Sequence, residues 1–146
     1  MQELGFDACV DHRAPDFALQ LDAACPAGID VYFENVGGGV QQTVWPLLKD
    51  FARIPVCGLI AQYNSITLIP GPDMFSVLRK RLTVRGFIVS DFAAKQADFL
   101  RDAGEWVRTG RLKYREDVVE GLENAPAAFL GMLQGKNFGK MLVKVA

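Results

Sequence analysis

Apolar and polar residues along this chain keep two rhythms in alternation. Residues 29–35, I-D-V-Y-F-E-N, are apolar on both faces, which predicts an interior parallel strand. Residues 52–60, A-R-I-P-V-C-G-L-I, and 82–89, L-T-V-R-G-F-I-V, predict two more, with an irregularity at Pro55 because proline cannot donate to a sheet ladder. Helical spacing lies between them. In P-D-F-A-L-Q-L-D-A-A-C-P-A-G, Phe17, Leu21 and Ala24 share one face, and Pro26 and Gly28 close the helix. V-Q-Q-T-V-W-P-L-L-K-D-F aligns Val40, Val44, Leu47, Leu48 and Phe51, with Pro46 placed to bend or break the stripe.

Residues 7–13 predict a short strand, 61–73 a loop and M-F-S-V-L-R-K-R a short helix. A long amphipathic helix is expected over 93–109, with Phe99, Ala103, Trp106 and Val107 inward and Gly110 ending it. The tail predicts a strand near 113–119, a helix over 124–134 stopped by Gly135, and a last strand K-M-L-V-K-V. Strands and helices alternate, so the class is α/β with a parallel sheet. Ligands of such sheets bind beyond the carboxyl ends of the strands. Asn35, Cys57-Gly58 and Phe87-Ile88-Val89 all stand at those ends.

The chain has 146 residues, the size of one domain, and half are hydrophobic, enough for a core. Sixteen Lys and Arg against 17 Asp and Glu give a net charge of −1, which argues against a nucleic-acid partner. No apolar run reaches the roughly 18 residues of a membrane span, and no signal-peptide pattern opens the chain. Cys9, Cys25 and Cys57 form no CxxC pair, so no disulfide framework or metal site is expected and the cytoplasm is the default location. With His12 the single histidine, a Ser-His-Asp triad has little to draw on.

The stretch D-V-Y-F-E-N-V-G-G-G (30–39) poses the chemical question. It reads either as a plain turn or as a strand end that something must approach closely. The Asn35 amide can donate and accept together, and Gly37 and Gly38 permit close contact with the main chain. Cys57 reads as a small buried filler, since no cationic neighbour is visible to activate it. R-K-R-L-T-V-R (79–85) reads as a solvated helix end.

Taken together, D-V-Y-F-E-N-V-G-G, A-R-I-P-V-C-G-L-I-A-Q-Y-N, P-G-P-D, L-T-V-R-G-F-I-V and Y-R-E-D-V-V-E-G-L-E-N-A-P-A-A-F-L-G-M-L-Q-G-K-N-F-G-K-M-L-V-K-V resemble the zinc-independent medium-chain dehydrogenase/reductases. The group concerned is the prostaglandin/leukotriene reductases with their bacterial curcumin and enone reductase relatives. The resemblance spans essentially the whole chain but only the C-terminal part of that family. It implies a partial Rossmann fold, a doubly wound parallel sheet lacking its first two strands. Residues 1–108 then complete the NADP-binding domain, and 109–146 are a strand-helix-strand segment returning to the GroES-like catalytic domain. No GxGxxG turn is found, so a truncated enzyme is expected.

The same resemblance implies NADPH as cofactor and a small α,β-unsaturated carbonyl as substrate, reduced at its C=C bond without a metal; a quinone reductase is the alternative within the superfamily. Asn35 matches a cofactor contact. Cys57, Gly58, Leu59, Ile60, Ala61, Gln62 and Tyr63 match the loop under the nicotinamide ribose, with Tyr63 also a catalytic candidate or simply a loop tyrosine. The main chain of Phe87, Ile88 and Val89 matches the segment holding the carboxamide. Asn137 matches a contact from the last loop, or is a turn beside Gly135. His12 stands where many relatives have a tyrosine near the adenosine phosphate, or is structural. These groups are expected to converge on one rim. The resemblance also implies a homodimer paired along the strand at 82–89. For the isolated chain, weak or absent cofactor binding is expected, and a non-catalytic association module is the rival reading.

Overall fold

The computed structural model describes residues 4–63, 65–67 and 69–145. It divides into two units, Met1–Gln96 and Ala97–Ala146.

In the first unit the elements run α1 (Phe17–Ala24), β1 (Ile29–Val31), α2 (Gly38–Val44), β2 (Leu48–Val56), α3 (Met74–Lys80) and β3 (Thr83–Gly86). The strands form one parallel sheet in the order β1-β2-β3. One face carries the core: Trp45, Leu48, Ala52, Ile54 and Leu82 are buried, with Ile29, Tyr32, Val56 and Val77 against them. The Trp45 indole N–H donates to the Ser76 hydroxyl at 2.5 Å, satisfying the polar end of a buried aromatic. The Lys80 ammonium donates to the carbonyls of Pro46 and Leu48, where the turn after α2 becomes β2. Pro46 ends the helix as expected, through a 3₁₀ turn over Trp45–Leu47.

The strands expected over 29–35 and 82–89 are shorter, Ile29–Val31 and Thr83–Gly86, and three further expectations shift. β2 starts at Leu48 and ends at Val56, four residues earlier than the apolar run suggested, so Leu48 and Phe51 belong to a strand and Cys57–Leu59 to a loop. The irregularity falls at Phe51 rather than Pro55. Ile29 pairs with Leu48 but Val31 with Arg53, and Phe51 takes a left-handed φ of 63° inside the excess. Pro55 stays in the ladder because its carbonyl accepts from Glu34 N–H; in a parallel strand its missing donor lies on that same side, toward β1. Residues 7–13 form no strand, since a strand needs a ladder partner and none is supplied to them. Within the expected loop, Asn64 and Leu68 lie outside the described residues.

α1 buries no side chain. Its Phe17 and Leu21 face an open cleft of about 530 Å³ that Val10, His12, Val36 and Val40 also line.

In the second unit, α4 (Gln96–Arg108) ends at Gly110 in a left-handed conformation. β4 (Glu116–Glu120), α5 (Ala125–Leu133) and β5 (Lys140–Lys144) make a parallel β-α-β unit. Gly135, with φ 67°, closes α5, and Lys136 N–H returns to the Gly131 carbonyl. The inward face expected of α4 is open: Phe99, Trp106 and Val107 are exposed and Ala103 is half-buried. Helical spacing defines that stripe but cannot say whether anything covers it.

Candidate functional site

The parallel ladder brings three strand ends into line. Glu34 bridges Val56, and Val56 pairs with Gly86. The Phe87 N–H donates to the Val56 carbonyl, so the row extends one residue beyond β3. Asn35, Cys57 and Phe87 therefore leave the sheet side by side. This is the edge at which open parallel sheets take their ligands.

The tightest convergence is around Gly58. A Cβ there would stand 2.7 Å from the Asn35 Oδ1 and 3.0 Å from the Tyr63 hydroxyl oxygen. Both polar atoms crowd a spot that only glycine leaves empty. Tyr63 is 67% exposed, and its hydroxyl oxygen accepts from Leu59 N–H at 3.4 Å, so the O–H proton can point outward. Ile60, Ala61 and Gln62 form a 3₁₀ turn that folds Tyr63 back over Gly58. The turn is docked by Ala61 N–H donating to the Val36 carbonyl at 2.9 Å. Gly37 and Gly38 have φ of 75° and 56° and are buried. Their freedom serves the fold: Leu59 packs 3.2 Å from the place a Gly37 Cβ would take, and Ala61 lies as close to that of Gly38.

His12 joins this region. It lines a second cleft of about 500 Å³ together with Val36, Gly37, Gly39, Thr43 and Ala61. Phe87 is half-buried and meets Phe33 and Phe92 edge to face at 6.0 and 5.6 Å. The Ile88 N–H donates to the Asp91 carboxylate, and the Asp91 N–H returns to the Ile88 carbonyl. Cys57 is exposed, not the buried filler expected, because β2 has already ended and its side chain stands in the loop. Asn137 lies in the second unit, where its amide donates to the Gly139 carbonyl at 2.8 Å and shapes a local turn.

Sequence reading passed over Glu34, which is fully buried. Its Oε1 accepts from the N–H groups of Val36 and Gly37, both at 2.8 Å, and its Oε2 accepts from the Tyr32 hydroxyl at 2.9 Å. Burial, then the Glu34 hydrogen bond and charge, hold the Tyr32 phenol well above its ordinary range. A carboxylate at the end of a largely apolar run, three residues before a glycine pair, was the available signal.

Among the described residues no three His, Cys, Asp or Glu side chains stand together as a metal ion would need. A nicotinamide nucleotide fits the rim better: exposed amide and phenol groups flank a position closed to any side chain.

Known proteins resemble this chain in sequence and in fold. A solved structure of CurA from Vibrio vulnificus in complex with NADPH superposes with a TM-score of 0.89 and 52% identity, covering 97% of this chain and 44% of that one. The NADPH-dependent curcumin reductase of Escherichia coli (strain K12) is 53% identical over 149 residues, 98% of this chain and 43% of its own length. Prostaglandin reductase 1 of Bos taurus is 39% identical over 147 residues, 99% of this chain and 45% of its own length. The chain thus spans less than half the length of these relatives. The family model described as zinc-binding dehydrogenase matches residues 4–143, and the chain belongs to that family.

Proposed function

We propose that this chain is the cofactor-facing C-terminal part of an NADPH-dependent oxidoreductase that reduces the C=C bond of α,β-unsaturated carbonyl compounds. The observation that carries the reading is the meeting of Asn35 and Tyr63 at the Gly58 position, on the carboxyl edge of a parallel sheet. The names of the 53%-identical and 39%-identical relatives support the substrate class.

When bound, the nicotinamide supplies the hydride. The residues of this chain hold and orient. The Asn35 amide offers both a donor and an acceptor to the cofactor, and the Cys57–Tyr63 loop underlies its ribose. The N–H groups of Phe87 and Ile88 are already committed, so the Phe87 carbonyl and the Val89 N–H are the groups left to meet the carboxamide. His12 lies along the cleft toward the adenosine end, and Asn137 is a further cofactor contact carried over from the family resemblance. The Tyr63 hydroxyl, its oxygen already accepting from Leu59, donates to the substrate carbonyl as negative charge grows there during reduction. Residues 1–108 belong to the nucleotide-binding domain and 109–146 to the catalytic domain.

Joining residues 1–146 to the N-terminal part of the E. coli curcumin reductase tests the reading. The chimera is expected to consume NADPH in the presence of an enone, and Tyr63→Phe to slow it. A folded chimera inert toward every enone and quinone tried would overturn it. The isolated chain is expected to bind NADPH weakly or not at all; quenching of Trp45 and Trp106 fluorescence at micromolar NADPH would refute that part.

The second reading, an association module, draws on β3, the outer strand, every residue of which is exposed. An open edge invites pairing with a second copy. Sedimentation that finds a dimer silent to NADPH favours it, and a monomer at all concentrations counts against it and against the homodimer.

A further inference from the structure

Glu34 stands where two loops cross. Its N–H donates to the Pro55 carbonyl, and its own carbonyl accepts from Cys57 N–H at 2.8 Å and Gly58 N–H at 3.3 Å. Its carboxylate meanwhile takes the N–H groups of Val36 and Gly37. Residue 34 thus ties down the first residues of the loop after β2 with its main chain, and its own following turn with its side chain. Asn35 lies between two pinned neighbours. Among the described residues no Lys, Arg or His pairs with this buried carboxylate; two main-chain N–H groups and one phenol replace water around it. A buried charge without a counter-ion is a costly choice unless its acceptor capacity is needed in full.

We propose that Glu34 is the positioning residue of the rim: its carboxylate, braced by Tyr32, sets where the Asn35 amide, Gly58 and the Tyr63 hydroxyl stand. It touches neither cofactor nor substrate and acts through the main chain of residues 35–37 and 57–58. Its value to catalysis rests on the nicotinamide reading given above, but the arrangement itself does not.

The test uses the 146-residue chain without cofactor, so it fails or succeeds apart from that reading. Glu34→Gln keeps the shape and replaces an ionised acceptor by a neutral one, about half as strong. Amide exchange at Val36 and Gly37 is expected to quicken by about tenfold, and the NMR signals of the Asn35 side-chain amide and of the Gly58 and Leu59 N–H groups to shift with it. Glu34→Asp, which keeps the charge, restores at least part of the protection. The Trp45 indole N–H, bonded to Ser76 away from the rim, reports that each variant is folded and stays in place. If Val36 and Gly37 respond while Asn35, Gly58 and Leu59 do not, Glu34 is a local turn residue and the proposal is wrong. An unchanged spectrum in Glu34→Gln also overturns it.

Discussion

Gly58→Ala separates the site from the fold. Gly58 is not among the residues with positive φ, so alanine fits its backbone. The added methyl group is the whole perturbation. Its carbon would stand 2.7 Å from Asn35 Oδ1 and 3.0 Å from the Tyr63 oxygen, where ordinary contact begins at 3.4 Å, so the two atoms must retreat by about 0.7 and 0.4 Å. Both side chains are exposed and can move. Turning a side chain off its rotamer costs about 0.5–1.5 kcal/mol, while alanine recovers about 0.4–1 kcal/mol by restricting the unfolded chain. The two nearly cancel, so the melting temperature of the chain should move by no more than about 2–4 °C.

The functional effect is of another size. A misplacement approaching 1 Å in a reacting arrangement costs about a hundredfold in rate. In the chimera proposed above, Gly58→Ala is expected to lower kcat/KM by about that factor with the melting temperature nearly unchanged. Thermal unfolding followed by circular dichroism and NADPH consumption followed by absorbance give the two numbers. Full turnover in a folded Gly58→Ala chimera would refute the argument, because it would mean that the Asn35–Tyr63 spacing is irrelevant to the chemistry.

The remaining expectations concern the scaffold. Ile54, fully buried at the centre of the sheet, should lose about 2–5 kcal/mol as Ile54→Ala, read by denaturant unfolding. Gly37→Ala meets both a φ of 75° and Leu59 at 3.2 Å, and should cost about 1–3 kcal/mol, clearly more than Gly58→Ala. The Tyr32 phenol is held above its usual value of 10.0 in the folded state, so the unfolded chain releases that proton first. Its contribution is complete below pH 10 and is lost as pH rises beyond it, by at most about 1.4 kcal/mol per pH unit. Tyr32→Phe should lack that component of the alkaline decline, and equal slopes in the two proteins would disprove the assignment.

Much of the architecture could be read from period alone. The helix at Met74–Lys80 and the parallel order of strands followed from spacing and from alternation of element types. The limits of β2 did not, because Leu47, Leu48 and Phe51 fit a helical stripe as well as a strand, and the backbone turn at Phe51 has no glycine to announce it. The exposed stripe of α4 shows the same limit from the other side: amphipathicity specifies a face, not its cover. At the rim, Asn35 stood out by its place between an apolar run and three glycines, and Tyr63 only through the family resemblance. Glu34 did not, since a carboxylate inside an apolar run resembles an ordinary solvent-facing strand position until its burial is known.

The order of Glu34 and Asn35 explains why the strand ends as it does. Successive side chains on a strand point to opposite faces, so one of the two must go inward and the other outward. A carboxylate inside needs only donors, and the turn at Val36–Gly37 and the Tyr32 phenol provide three. An amide inside would also need an acceptor for its own N–H groups. Outside, the preference reverses. A carboxylate facing the rim would repel a cofactor that carries phosphates, whereas an amide is neutral and can both donate and accept. Exchanging them, Glu34→Asn with Asn35→Glu, keeps composition and net charge while inverting both fits. The shorter inward amide reaches fewer of the three donors, at about 1–3 kcal/mol for each left unpaired, and the outward carboxylate weakens NADPH binding in the chimera. Because the two losses have different causes, the cofactor defect should shrink as salt is added while the stability defect persists; a swapped chain as stable as the original would show that the turn does not depend on which residue is buried.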